Sequence, residues 1–311
     1  MVFHAGNELV GFFFRYRDHE TDEYFFYYYD AYGNITQYSS DNTYGFYRYG
    51  DVVDTWEDIL FSYNGHPITY DAIGNPTRYH DGREFEWQNG RQLSGANSDY
   101  GWLTFEYNES GMRTQKQING FAIENTTYWY DGALLLRETK EVEDGTGTPY
   151  DFVYTYDEAG RPLSLMDGQF TYYYAYDIYG NVKYLYNDAG EKVAEYTYHD
   201  PWGENVTWEV WSHPDAAPEE LERHQKIAQL NPFRYKGYYY DADMKMYYCG
   251  SRYYDPEVKR FINADGYVST GQGILGNNMF AYCNNNPVMY ADIKGDRYCA
   301  ATSVASETSY E

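Results

Sequence analysis

Eight times along the chain an aromatic, strand-like stretch runs into a tight turn built around Tyr-Asp-x-x-Gly, and this recurrence restricts the fold more than any other feature. The clearest copies are Tyr29-Asp30-Ala31-Tyr32-Gly33-Asn34, Tyr70-Asp71-Ala72-Ile73-Gly74-Asn75, Tyr156-Asp157-Glu158-Ala159-Gly160-Arg161 and Tyr176-Asp177-Ile178-Tyr179-Gly180-Asn181. Weaker copies begin at Tyr107, Tyr130 and Tyr186, and a spaced-out copy runs from Tyr198 to Gly203. Asp suits the first position of a type I turn. Gly three residues later supplies the left-handed residue that hands the chain to the next strand. A chain punctuated this way is a succession of hairpins.

The stretches between turns alternate with the two-residue period of strands up to about Gly203. In Thr171-Tyr172-Tyr173-Tyr174-Ala175-Tyr176, rings 172, 174 and 176 share one face; in Ala194-Glu195-Tyr196-Thr197-Tyr198, residues 194, 196 and 198 do. One aromatic face and one mixed face describe a sheet buried on one side. Repeat spacings of 20 and 10 residues give about ten per strand and turn. The first 200 residues then hold roughly 20 strands, or at ~4.8 Å each roughly 100 Å of sheet. A sheet that wide must coil or close, because strand twist accumulates.

Composition agrees with this. Tyr accounts for 42 of 311 residues, so buried area must come from rings packed across strands and not from an aliphatic globule. The formal net charge of −25 opposes direct binding to nucleic acid or anionic lipid, whose affinity rests on cationic side chains. No apolar run is long enough for a membrane-spanning helix, and Met1 to Glu8 has no signal-peptide blocks. The chain therefore reads as part of a longer array. Cys249, Cys283 and Cys299 are odd in number and have no metal spacing, so packing roles are expected.

One helix is expected between Asp215 and Leu230, capped by Asp215, with Pro218, Glu219 and Glu220 in its first turns and Asn231-Pro232 as its stop. It marks a boundary. Beyond it come Asn231 to Asp241 (NPFRYKGYYYD), Tyr247 to Pro256 (YYCGSRYYDP), Arg260 to Gly266 (RFINADG), Tyr282 to Val288 (YCNNNPV) and Asp292 to Gly295 (DIKG).

These words in this order resemble the RHS repeat-associated core domain, and the upstream Tyr-Asp repeats resemble the same RHS/YD-repeat family. That family includes bacterial wall-associated and Rhs polymorphic toxins, Tc toxin C subunits and teneurins. The resemblance implies an all-β fold: an antiparallel β-hairpin repeat array coiling into a shell or partial barrel, with a short helix before a C-terminal core or plug domain. The implied organisation is hairpin repeats over residues 1–210, a helical connector over 211–230, the core domain over 231–296 and a variable tail over 297–311. The implied function is a structural shell and plug of a secreted or cell-wall-associated toxin. Its partner would be the parent protein's own C-terminal effector segment.

In many members the plug is also an aspartyl autoprotease that frees the effector. Carried over by motif, its two aspartates are Asp265 and Asp292, with the cut at Asp296–Arg297. Two close carboxylates can share a proton and act as acid and base on an amide. The chain departs from the pattern: Gly266 and Ile293 replace the motif prolines, and Asp296 stands where a leucine precedes the cut. The alternative role for Asp265 and Asp292 is to cap turns.

Other chemistry is weakly signalled. His66, His80, His199, His213 and His224 are scattered, no cofactor fingerprint is present, and Asn187-Asp188-Ala189-Gly190 reads as a turn before a calcium loop. Neither a cofactor nor a metal is expected. The aromatic faces also suit a carbohydrate-binding surface with a cell-wall or surface glycan as partner. Against that, the chain has only 7 Trp, and cross-strand packing accounts for a tyrosine stripe.

Overall fold

The computed structural model describes residues 12–17, 24–40, 43–50, 56–143, 147–266, 278–292 and 299–300. From Phe12 to Val210 it consists of twenty strands, each pairing antiparallel with a neighbour in chain order. The first six, Phe12–Arg17 to His66–Pro67, form one sheet; the last twelve, Phe85–Gln88 to Thr207–Val210, form another. The array expected to run on continuously is divided by a short ribbon of Thr69–Tyr70 and Pro76–Arg78. Pro67 ends the strand before the ribbon and Pro76 begins its second strand; both lack an amide hydrogen and cannot donate to a ladder. Among the described residues the sheets do not close into a barrel.

The repeat turn has one geometry. In the copy at Tyr29, Asp30 Oδ1 accepts the amides of Tyr32 (2.9 Å) and Asn34 (2.8 Å), while Gly33 takes φ +79°. The same pair of bonds recurs from Asp71, Asp157 and Asp177, and from Asn108 and Asn187 in two of the weaker copies. Asp200 makes it too, to Trp202 and Glu204 (2.9 and 3.0 Å), so the spaced-out copy is a full member. The copy at Tyr130 differs: Asp131 pairs with Leu134 across a two-residue loop. A carboxylate or amide oxygen two residues before the turn's second amide is what the backbone needs, and Asn serves as well as Asp.

The tyrosine before four of the turns has its own task. The hydroxyls of Tyr107, Tyr156 and Tyr198 donate to the carbonyls of Leu93, Leu135 and Val182 at 2.7–2.8 Å, and Tyr176 does the same to Pro162. Each ring thus lies across its sheet and ties its own hairpin to the one before. Phe would pack there but leave a carbonyl unpaired.

Alternation sorts the faces as expected. Tyr172, Tyr174, Ala194 and Tyr196 are buried, whereas Trp129 and Tyr173 are exposed. Against the buried face sits the C-terminal segment, a four-stranded sheet of Tyr239–Asp241, Met246–Tyr248, Tyr253–Asp255 and Arg260–Phe261. Its rings merge with those of both wall sheets: Tyr235, Tyr247, Tyr254 and Tyr282 join the cluster of Tyr27, Tyr38 and Tyr63, and Phe233 joins that of Tyr154 and Tyr174.

The helix runs Pro218–Leu230 with Pro at its start and Asn231 as C-cap. Asp215 does not cap it; Ala217 holds that position and provides no side-chain bond. The three residues from Asp215 to Ala217 carry the chain round before Pro218 fixes the first helical turn. Ile227 and Ala228 are buried against the wall, and Lys226 meets Asp167 at 2.8 Å. No helix among the described residues is long and apolar enough to cross a membrane.

Candidate functional site

Arg252 lies in the turn between strands Met246–Tyr248 and Tyr253–Asp255, next to Gly250 at φ +74°. Its guanidinium stacks 3.5 Å over the Phe261 ring, and Nη1 donates to the Met279 carbonyl at 3.1 Å. Asp265 follows the strand Arg260–Phe261 and is held by its own amide, which also donates to Met279 O at 2.8 Å. Asp292 follows Tyr290–Ala291, and its amide donates to the Tyr238 hydroxyl at 2.6 Å. The two carboxylates meet at one atom: Arg252 Nη2 lies 3.0 Å from Asp265 Oδ2 and 3.4 Å from Asp292 Oδ2.

The two aspartates singled out in the sequence are therefore neighbours, and all three side chains are largely buried. As placed, the trio is an ion-pair knot. It can do acid–base work only if Arg252 yields one of the two. Asp296 and Arg297 lie outside the described residues. Cys249 and Cys283 are buried, and burial, followed by the charge of Asp292, pushes the Cys249 thiol up.

A second polar cluster fastens the segment to the wall. Arg113, fully buried, meets Asp241 at 2.5 Å and the hydroxyls of Tyr253 (2.7 Å) and Tyr128 (3.2 Å). Lys116 meets Asp241 at 2.8 Å and Asp243 at 2.5 Å. Burial alone would raise the Asp241 carboxyl, but Lys116 and then Arg113 bring it down to about 2. Beside them Glu138, raised by burial, accepts from Tyr154 (2.7 Å) and Tyr239 (2.8 Å). At the other end Lys259 reaches Glu204 at 2.8 Å, and nearby Asp200 is pushed up to about 7, first by burial and then, against the pull of Lys259, by Glu204. His80 Nε2 lies 3.9 Å from Asp255 Oδ2, too far for a hydrogen bond.

Reading the sequence located Asp265 and Asp292 but not their partner. Arg252 was visible in the Gly-Ser-Arg-Tyr-Tyr-Asp-Pro word. Arg113 carries no local signal, since only the fold brings it to Asp241.

The fold is shared with solved structures. The chain superposes with a TM-score of 0.67 on "Crystal Structure of TcdB2-TccC3-Cdc42", at 20% identity, covering 88% of this chain and 13% of that one. That likeness defines an Rhs-type β shell as the fold class. Among sequences, the chain is 33% identical over 242 residues to the tRNA3(Ser)-specific nuclease WapA of Bacillus spizizenii, covering 76% of this chain and 9% of the relative. It is 26% identical over 284 residues to double-stranded DNA deaminase toxin A of Burkholderia cenocepacia, covering 85% of this chain and 18% of the relative. The chain belongs to the RHS/YD-repeat family. No family model matches it. It spans less than a tenth of the length of the WapA relatives and under a fifth of the deaminase toxin.

Proposed function

We propose that this chain is the wall and plug of a secreted or cell-surface Rhs-type toxin, a non-catalytic module that houses or presents the effector following it in the parent protein. The observation that supports this reading most is the seating of residues 231–266 on the aromatic face of both wall sheets, tied there by buried ion pairs. A segment merely appended to the repeats would not need charges desolvated at its boundary. The hairpin repeats, the helical connector and the core segment then form three functional parts over residues 1–210, 211–230 and 231–296. The relatives named as toxins fit an effector as partner, and a glycan has no support beyond exposed rings such as Trp129 and Tyr173.

Limited proteolysis of the parent polypeptide tests the reading. The polypeptide following the plug should resist digestion until the wall is cut. Digestion as fast as that of the isolated effector would contradict it.

One observation favours a second reading, self-cleavage by Asp265 and Asp292: their convergence on Arg252. The cut would fall at Asp296–Arg297. Intact-mass measurement after expression decides it. Loss of the fifteen residues after Asp296, abolished by Asp265→Asn and by Asp292→Asn, supports hydrolysis. A full-length mass ends it.

A further inference from the structure

Asn263 stands two residues before Asp265 and is 1% exposed, yet neither its Oδ1 nor its Nδ2 has a hydrogen-bond partner. A buried primary amide with both ends unpaired is costly, and native proteins rarely carry one. The side chain lines a cavity of about 20 Å³ between wall and plug. Trp87, Arg91 and Tyr107 border it from the wall, and Arg252 and Tyr253 from the plug. Arg91 also fixes the adjoining backbone, since its Nη1 donates to Ala264 O at 2.7 Å.

The size of the cavity decides what fits. A free donor and acceptor side by side could pair with a peptide group, but a peptide needs far more room. A single water needs roughly 10–15 Å³ and two or more polar neighbours. The amide provides an NH2 donor group and a carbonyl acceptor, and Arg91 and Arg252 border the same space.

We propose that Asn263 holds a buried water in this cavity and that this water supplies hydrolysis at the Asp265 and Asp292 pair. The supply role rests on the self-cleavage reading; the water site does not. The shared element is Arg252, which borders the cavity and contacts both carboxylates. In the reaction the water oxygen bonds to the scissile carbonyl carbon as the carbon–nitrogen bond breaks. One water proton passes through an aspartate to the leaving amine, and the other remains with the new carboxylic acid. No oxidant, reductant or metal is required. Asn263 is a positioning residue in this scheme, because it acts through the water.

Two measurements on the full chain test the proposal. A crystal structure at about 1.5 Å should show one solvent peak about 3 Å from both amide atoms of Asn263. A dry cavity overturns the water site. In an intact-mass time course, Asn263→Leu should slow cleavage at least tenfold, while Asn263→Ser, which keeps a donor and an acceptor, should stay within about threefold of wild type. Thermal melts of both variants separate slow cleavage from misfolding. Wild-type cleavage with Asn263→Leu equally fast overturns the supply role. A wild-type chain that never cleaves, with the solvent peak present, overturns the supply role through the failure of hydrolysis and leaves the water site supported.

Discussion

Tyrosine accounts for this wall better than any other residue type, and the reason is its hydroxyl. Tyr107, Tyr156 and Tyr198 each place a ring in the core and a donor on a carbonyl of the preceding hairpin. Replacing Tyr156 or Tyr198 by Phe should cost about 1–2 kcal/mol, the worth of one buried hydrogen bond with its orphaned partner. Tyr173→Phe, at an exposed ring without this role, should stay within about 0.5 kcal/mol; urea unfolding measures all three. Asp200 offers a pH test. Its folded pKa of about 7 lies above the unfolded value. Its contribution is therefore complete below pH ~4 and is lost as pH rises towards 7. Asn keeps the oxygen that binds the Trp202 and Glu204 amides. Asp200→Asn should thus gain stability over wild type as pH rises from 4 to 8, and an unchanging difference would show that the carboxyl does not titrate there. Gly203 takes φ +80°, and a side chain there would overlap the Tyr235 ring, so Gly203→Ala should destabilise by more than the same change at Gly190, where the space is open.

At the scale of elements, the wall strand Arg113–Gly120 and the plug strand Tyr239–Asp241 are joined by the Arg113, Lys116 and Asp241 cluster. Asp241→Ala removes the only carboxylate paired with Arg113 among the described residues and leaves Lys116 with Asp243 alone, and should cost about 3–5 kcal/mol. Converting Arg113 and Lys116 to Met together with Asp241→Leu should recover most of that loss, and chemical denaturation of wild type and the two variants checks it. The Asp241 carboxyl, lowered to about 2, contributes stability above pH ~4 that fades as pH falls through 2. Much at this scale was legible in the sequence. The strand faces around Tyr172, Tyr174, Ala194 and Tyr196, and the turns at Asp30, Asp71, Asp157 and Asp177, follow from local rules of alternation and turn chemistry. The helix stop at Asn231 was legible for the same reason, while the Asp215 cap was not realised because Pro218 sets the first turn.

At the scale of the whole molecule, sequence rules became silent where contacts are long-range. Nothing near Arg113 announces Asp241, and nothing near Arg252 shows that it would bridge Asp265 and Asp292. The break between the two wall sheets is a milder case, with Pro67 and Pro76 as visible but non-specific signs. The RHS/YD-repeat resemblance supplied the order of parts, and the structure adds that rings of the C-terminal segment are buried in both aromatic clusters of the hairpin sheets. Shared burial implies shared opening, since strands that exclude water from the same rings cannot expose them separately. Hydrogen exchange on the intact chain, read by mass spectrometry, tests this most directly. Amides in the wall strands between Arg113 and Val142 and in the plug strands between Tyr239 and Phe261 should exchange with one opening free energy, lowered equally in both by Asp241→Ala. Plug strands that open independently, or keep their protection while the wall loses its own, would contradict the account.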